Sequence, residues 1–206
     1  MKRCLSTIVC GVNHTICIND EGNVFSFGHS NNGAHGFVED VISPKMIPTL
    51  GNIKTIATRA DHSVCLDDDG NVFTFGYNSC GQLGTVFDYS TKESAHIPQK
   101  VDLPLCIQIS CGHSFTVCLT DDHVLYSFGS NVFGELGLGT NEIIYNSPQL
   151  VSSLKDVEFI ECGTSHVFCK TLNNEVYCWG YNHSGQLGLG NKDNQNIPML
   201  CSSIIK

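Results

Sequence analysis

Apolar residues along this chain come in short runs separated by Gly, Asn and Asp, and the runs repeat. Val24-Phe25-Ser26-Phe27-Gly28 returns as Val72-Phe73-Thr74-Phe75-Gly76, Leu125-Tyr126-Ser127-Phe128-Gly129 and Val176-Tyr177-Cys178-Trp179-Gly180. Ahead of each stands a second run, first Cys10-Gly11-Val12-Asn13-His14-Thr15-Ile16-Cys17-Ile18, then its counterparts at residues 58–66, 111–119 and 162–170. Runs of β-branched and aromatic residues bounded by turn formers predict strands. The connectors Asn19-Asp20-Glu21-Gly22-Asn23 and Asp67-Asp68-Asp69-Gly70-Asn71 supply residues that accept positive φ, so each pair of runs predicts an antiparallel hairpin. His14, His62, Phe115 and His166 are separated by 48, 53 and 51 residues, and Gly28, Gly76, Gly129 and Gly180 keep the same intervals. A period of about fifty marks a tandem array whose units bury their apolar faces only by stacking on one another.

A glycine-spaced segment follows each hairpin: Gly76-x4-Gly81-Gln82-Leu83-Gly84, then Gly129-x4-Gly134-Glu135-Leu136-Gly137 and Gly180-x4-Gly185-Gln186-Leu187-Gly188. Fixed glycine offsets suit a backbone that bends sharply beside another strand, with Leu83, Leu136 and Leu187 as buried anchors. Pro44, Pro98, Pro148 and Pro198 then open a short extended piece that reads as an outer strand, where a missing N–H is tolerated. No long window carries helical periodicity, so the predicted class is all-β. The expected organisation is one repeat domain over residues 1–206. It comprises a half unit at 4–20, full units at about 23–66, 71–119 and 124–170, and a half unit at 175–205, the two ends together making one unit.

The pattern Val-Tyr-x-Trp-Gly-x-Asn-x-x-Gly-Gln-Leu-Gly, a downstream Pro, and then Cys-Gly-x-x-His resembles the repeat of the regulator of chromosome condensation family. Residues 172–190 match best, and the likeness extends over almost the whole chain. The resemblance implies a β-propeller, the founding member being seven-bladed. The first unit is worn, with Gly33-Ala34-His35-Gly36 in place of Gly-Gln-Leu-Gly; Arg59 stands at the position of Gly11, Gly112 and Gly163, and Phe115 replaces the histidine. Four blade-equivalents leave three arrangements: an open partial propeller, a closed four-bladed ring, or an arc closed by a second copy. Blades shaped for a seven-fold ring turn by roughly 50° each, whereas closing four needs about 90°, so an open arc is expected, with the small ring as the alternative.

Formal net charge is −9, from 11 Lys plus Arg against 20 Asp plus Glu, which is not the basic footprint of a nucleic-acid binder. No apolar stretch suits a signal peptide or a membrane span, so a soluble intracellular protein, cytoplasmic or nuclear, is expected. Cys17, Cys65, Cys118 and Cys169 hold one repeat position and Cys10, Cys111 and Cys162 another. Cysteines recurring once per unit read as small packing groups in a reducing compartment rather than as a disulfide framework. The Cys-x3-His pairs belong to the same repeat and lack a second ligand pair, so no metal is expected. No cofactor is expected either: a phosphate loop would need Lys after Gly81, where Gln82 stands. No off-register histidine sits in a nucleophile motif, and intrinsic catalysis is not expected.

Length variation concentrates between the last glycine of each Gly-x-x-Gly element and the proline: eight, fourteen, eleven and ten residues in the four units. Insertions at one point of every unit map to one face of a repeat protein, often its binding face. Within the longest, residues 85–97, the candidate contacts are Thr85, Val86, Phe87, Asp88, Tyr89, Lys92 and Glu93; the acidic turn Asp67, Asp68 and Asp69 is the second candidate, part of a rim that would steer a basic partner. The expected function is a protein-interaction module acting through blade-face loops or an open edge that also permits self-association. The alternative implied by the resemblance is guanine nucleotide exchange on a Ran-type small GTPase.

Overall fold

The computed structural model describes residues 5–29, 32–85 and 94–202. Sixteen strands form four separate four-stranded sheets, and none of the described residues is helical. Each sheet is an antiparallel meander of consecutive strands. The first blade holds β1 (Leu5–Cys10), β2 (His14–Asn19), β3 (Val24–Gly28) and β4 (Val41–Met46). The second holds β5 (Ile53–Thr58), β6 (His62–Asp67), β7 (Val72–Tyr77) and β8 (Ser94–Lys100). The third holds β9 (Cys106–Cys111), β10 (Phe115–Thr120), β11 (Leu125–Ser130) and β12 (Ile144–Leu150). In the fourth are β13 (Val157–Cys162), β14 (His166–Thr171), β15 (Val176–Gly180) and β16 (Gln195–Leu200).

The strand content agrees with the apolar runs, and each proline-bearing segment is the outer strand of its blade, as expected. The phase of the repeat does not agree. The boundaries 4–20, 23–66, 71–119, 124–170 and 175–205 cut every blade in two, whereas β1 pairs with β2 inside the first sheet and β16 with β15 inside the fourth. A recurring landmark fixes a period but not where the unit begins. Here the strand before each Cys-Gly-x-x-His loop bonds forward to the strand after it, so no blade is shared between the ends.

The hairpin turns are held as their composition suggests. Asn19 Oδ1 accepts the N–H groups of Glu21 (3.1 Å) and Asn23 (2.9 Å), and Asp67 accepts that of Asn71 at 2.7 Å. A positive φ recurs at one place in all four turns, at Gly22, Gly70, His123 and Asn174. Gly76, at φ +110°, shows why the strand-end glycine recurs: a Cβ there would sit 2.6 Å from the carbonyl oxygen of Asp61.

The main apolar clusters lie between blades. Ile16, Ile18 and Val24 of blade 1 meet Ile53, Ile56 and Phe75 of blade 2; Val64, Leu66 and Val72 then meet Ile109, Cys118 and Phe128; Val117, Leu119 and Leu125 meet Ile160, Cys169 and Trp179. This is the stacking that the period predicts. Strands pack along one another only between sequence-neighbouring blades, with no such packing between blades 4 and 1; one side chain reaches further, Arg59 Nη2 of blade 2 to the Cys162 carbonyl of blade 4 (2.8 Å). The four blades therefore form an open arc and not a closed ring. Leu83, Leu136, Leu187 and Trp179 are fully buried, as expected of anchors and core. Cys10 departs from its repeat partners: Cys111 and Cys162 are buried between blades, but Cys10 is exposed.

Candidate interaction surface

The repeat histidines are committed to packing. Ser63 Oγ donates to the Ala34 carbonyl (2.6 Å), so its lone pair receives His14 Nε2–H (3.0 Å). One blade on, Thr116 Oγ1 donates to the Gln82 carbonyl (2.9 Å) and accepts His62 Nε2–H (3.1 Å). Burial, with His35 adding and Asp61 opposing, brings the His14 pKa down to about 4. Burial, with His14 and His113 adding, brings His62 down to about 3, and its Nδ1 has no partner. Neither ring is available for chemistry. Burial likewise raises the repeat thiols, that of Cys162 to about 12 and that of Cys169 to about 12, so they act as inert packing groups.

The exposed loops lie on two opposite rims. Antiparallel strand order puts the turns β2–β3, β6–β7, β10–β11 and β14–β15 at one end, with the links that enter β5, β9 and β13. Ile53 N–H bonds the Gly22 carbonyl (3.0 Å), Cys106 N–H that of Gly70 (2.8 Å) and Val157 N–H that of His123 (3.0 Å). The loops β1–β2 and their equivalents share the other end with the long segments entering β4, β8, β12 and β16. Tyr77 N–H bonds the Asp61 carbonyl there, and Tyr181 N–H that of Ser165.

Of the two predicted contact sets, Thr85 therefore lies on one face and Asp67, Asp68 and Asp69 on the opposite one. Thr85 is half-buried on the long-loop face, whereas Val86, Phe87, Asp88, Tyr89, Lys92 and Glu93 lie outside the described residues. Asp68 and Asp69 are exposed on the other face. Asp67 is buried, and its carboxylate is taken up by Asn71 N–H and by Asn71 Nδ2 (2.8 Å), so it shapes the turn.

The structure also shows what spacing alone did not. Asp20, Glu21 and Asp68 come from different blades but line one cleft of about 410 Å³, with Lys54, Asn19 and Asn52. Asn52 and Lys54 lie in the link and strand of blade 2, and their sequence carries no mark of the cleft. Between blades 3 and 4 the long-loop face holds a second cleft of about 350 Å³, with exposed Val132 and Ile143 on its wall. Among the described residues no group of His, Cys, Asp and Glu is arranged to hold a metal, and no helix is long and apolar enough to cross a membrane.

The model of the RCC1-like domain matches residues 1–206, the whole chain. The chain belongs to the RCC1-like family. This RCC1-like chain is 38% identical over 201 residues to the human probable E3 ubiquitin-protein ligase HERC4, an alignment covering 95% of the chain but 19% of that protein. It thus spans about a fifth of the length of the curated relatives it matches. Among solved structures it superposes on human WBSCR16 with a TM-score of 0.86 at 25% identity, covering 97% of this chain and 53% of that one. Prp20p from Saccharomyces cerevisiae, whose structure was described with its binding to Gsp1p and histones, gives 0.86 at 22% identity and is covered to 51%. These likenesses show the same propeller-type RCC1-like fold.

Proposed function

We propose that this RCC1-like chain is a protein-interaction module without catalytic groups of its own, and that its acidic turn face engages a basic protein surface. The observation that carries this reading is the cleft where Asp20 and Glu21 of one blade converge with Asp68 of the next. The repeat histidines and cysteines are spent on blade packing, and the polar side chains lining the cleft are carboxylates and amides, with Lys54 its one cation. A net charge of −9 supplies long-range attraction for a cationic partner. The exposed Asp68 and Asp69 belong to this reading, and the sequence segment that starts at Thr85 on the opposite face is proposed as a second contact. A reducing cytosolic or nuclear compartment suits the free buried thiols.

A second reading, guanine nucleotide exchange on a Ran-type GTPase, is favoured by the likeness to Prp20p, described with its binding to Gsp1p. Exchange requires tighter binding to the nucleotide-free GTPase than to the loaded form. The experiment that separates the readings measures binding of a Ran-type GTPase together with release of a fluorescent guanine nucleotide from it. Binding that weakens with salt and with the triple variant Asp20→Lys/Glu21→Lys/Asp68→Lys, without faster release, supports the module. Release accelerated by orders of magnitude establishes the exchange factor. Binding untouched by the triple variant removes the acidic cleft from the site.

A further inference from the structure

Two cysteines stand outside both repeat registers and meet inside blade 4. Position 178 is the middle of the third strand. Its counterparts Ser26, Thr74 and Ser127 carry a hydroxyl that donates to the carbonyl nine residues on, at His35, Leu83 (2.7 Å) and Leu136 (2.9 Å). Position 201 ends the outer strand. Its N–H bonds the Val176 carbonyl at 2.8 Å, as those of Ile47, Val101 and Val151 bond Val24, Val72 and Leu125 at 2.9 Å. Blades 1 to 3 thus hold a hydroxyl at one place and a branched aliphatic side chain at the other, and blade 4 alone holds a thiol at both.

Neither change is a gain in packing by itself. Cys178 Sγ reaches the Leu187 carbonyl at 3.4 Å, and a thiol is a weaker donor than the hydroxyl of the other blades. A thiol at 201 fills less space than the Val or Ile it replaces. Together, however, the two bring their sulfurs to 2.7 Å, with Cys178 0% and Cys201 1% exposed. An S–S bond needs about 2.0 Å, so small side-chain rotations suffice to close it. Leu187 and the partly buried Phe168, Val176 and Leu189 complete the cluster, all from the same blade, so the contact does not depend on what packs beyond it. Cys169, the repeat cysteine of this blade, belongs to the separate cluster toward blade 3.

We propose that Cys178 and Cys201 form a peroxide-sensitive dithiol that closes to a disulfide and staples the outer strand β16 to β15. The Cys201 thiolate attacks one oxygen of hydrogen peroxide; the S–O bond forms, the O–O bond breaks, and the departing hydroxide takes up the thiol proton to become water. Cys178 then attacks the Cys201 sulfur; the S–S bond forms, the S–O bond breaks, and the second hydroxide leaves as water with the Cys178 proton. Two thiols lose two electrons and one peroxide becomes two waters. Burial raises both thiols, and the hydrogen bond between them then lowers Cys201 and raises Cys178, so Cys201 ionises first. Access comes from the edge: β16 bonds to β15 alone, and the ladder is irregular between Cys178 and Gly180, so local opening there admits a small oxidant. Asn194 and Asn196, at the start of β16, line the cleft between blades 3 and 4, so the staple fixes one wall of it.

The test exposes the full chain to hydrogen peroxide at a dose that oxidises the exposed Cys10, unfolds it, alkylates the free thiols and maps the peptides by mass spectrometry. A peptide joining Cys178 to Cys201 is expected, two hydrogens lighter than the reduced pair and released by a dithiol reductant. Cys178→Ser and Cys201→Val install the residues of blade 3, Ser127 and Val151, and circular dichroism checks that each variant keeps its strands. In either variant the linked peptide should vanish and the remaining cysteine should alkylate. Oxidation should also slow hydrogen exchange across Gln195–Leu200 about tenfold in the unmodified chain and in neither variant. If Cys178 and Cys201 both alkylate after the treatment, the proposal is overturned. Separate sulfinic acids at the two positions, or a link from either to Cys169, overturn it equally. A Cys178–Cys201 link that leaves exchange in β16 unchanged refutes the staple.

Discussion

The second and third blade interfaces are built on the same backbone but by different chemistry. Between blades 2 and 3, His62 donates to Thr116 and Thr116 donates to the Gln82 carbonyl. Between blades 3 and 4 the same two positions hold Phe115 and Val167, both buried. Val167 has no hydroxyl for the Glu135 carbonyl, and Trp179 Nε1–H supplies the bond instead at 2.9 Å. The repeat thus requires that the ring fill its space and that the buried carbonyl find a donor, since an unpaired buried acceptor costs about 1–3 kcal/mol. It does not require histidine. The change from His to Phe is one of three coupled changes, and the carbonyl is satisfied on both sides.

The largest effect that separates the interfaces should come from Phe115. Phe115→Ala leaves a cavity in a fully packed cluster and should cost about 3–5 kcal/mol in denaturant unfolding. His62→Ala removes less apolar surface and should cost less. Equal losses would mean that the two rings contribute in the same way.

Acid should act on the polar interfaces and spare the aromatic one. Burial lowers the pKa of His14 to about 4 and that of His62 to about 3 in the folded chain, from the ordinary histidine value of 6.5. The unfolded chain therefore binds more protons below pH 6.5, and stability held above that pH is lost as pH falls toward about 4 and about 3. For one such histidine the loss is on the order of 3 kcal/mol. Hydrogen exchange across this window should show β2, β6 and β10 loosening before β14. In the variant His62→Phe/Thr116→Val the dependence should shrink; an unchanged pH profile would show that other groups control acid unfolding.

A smaller effect tests the donor exchange itself. Trp179→Phe keeps the ring in the core but leaves the Glu135 carbonyl without a donor, and should cost about 1–3 kcal/mol. Adding Val167→Thr places a hydroxyl where Thr116 stands in the previous blade and should recover part of the loss. A double-mutant cycle with no coupling between the two positions would refute the substitution of one donor for the other.

Much of this was legible in the sequence, because strands, turns and outer-strand prolines each depend on neighbours within a few residues. The period came from landmarks such as His14 and Gly28, and the buried anchors Leu83, Leu136 and Leu187 from their fixed place after glycine. The phase was not legible, since hydrogen bonding between Leu5–Cys10 and His14–Asn19 is a choice of partner that a periodic string leaves open. For the candidate surface, composition identified acidic turns, but it did not separate Asp67, whose carboxylate is consumed by Asn71, from exposed Asp68. Nor could it join Asp68 to Lys54 and Glu21, which meet only once blades stack.

The subtlest contrast is in the loop where Arg59 replaces glycine. In blades 1, 3 and 4 the glycine N–H closes onto the carbonyl of the landmark ring, as Gly112 does onto Phe115 at 3.0 Å. In blade 2 the hydroxyl of Thr58 donates to the His62 carbonyl at 2.7 Å, and Thr58 itself stands where the other blades have cysteine. The pair Thr58–Arg59 therefore replaces Cys–Gly as a unit. It frees Arg59, whose Nη2 reaches across the arc to the Cys162 carbonyl of blade 4 at 2.8 Å. Arg59→Gly should lose that contact alone, about 1 kcal/mol for an exposed charged donor, and hydrogen exchange should report it at the inner strand of blade 4. Thr58→Cys should instead unsettle the blade 2 loop, because Arg59 then remains where a glycine N–H would close it. The double variant Thr58→Cys/Arg59→Gly should restore the loop and keep only the cross-arc loss. If the double variant is as damaged as the sum of the singles, the two positions are independent and the coupled exchange is wrong.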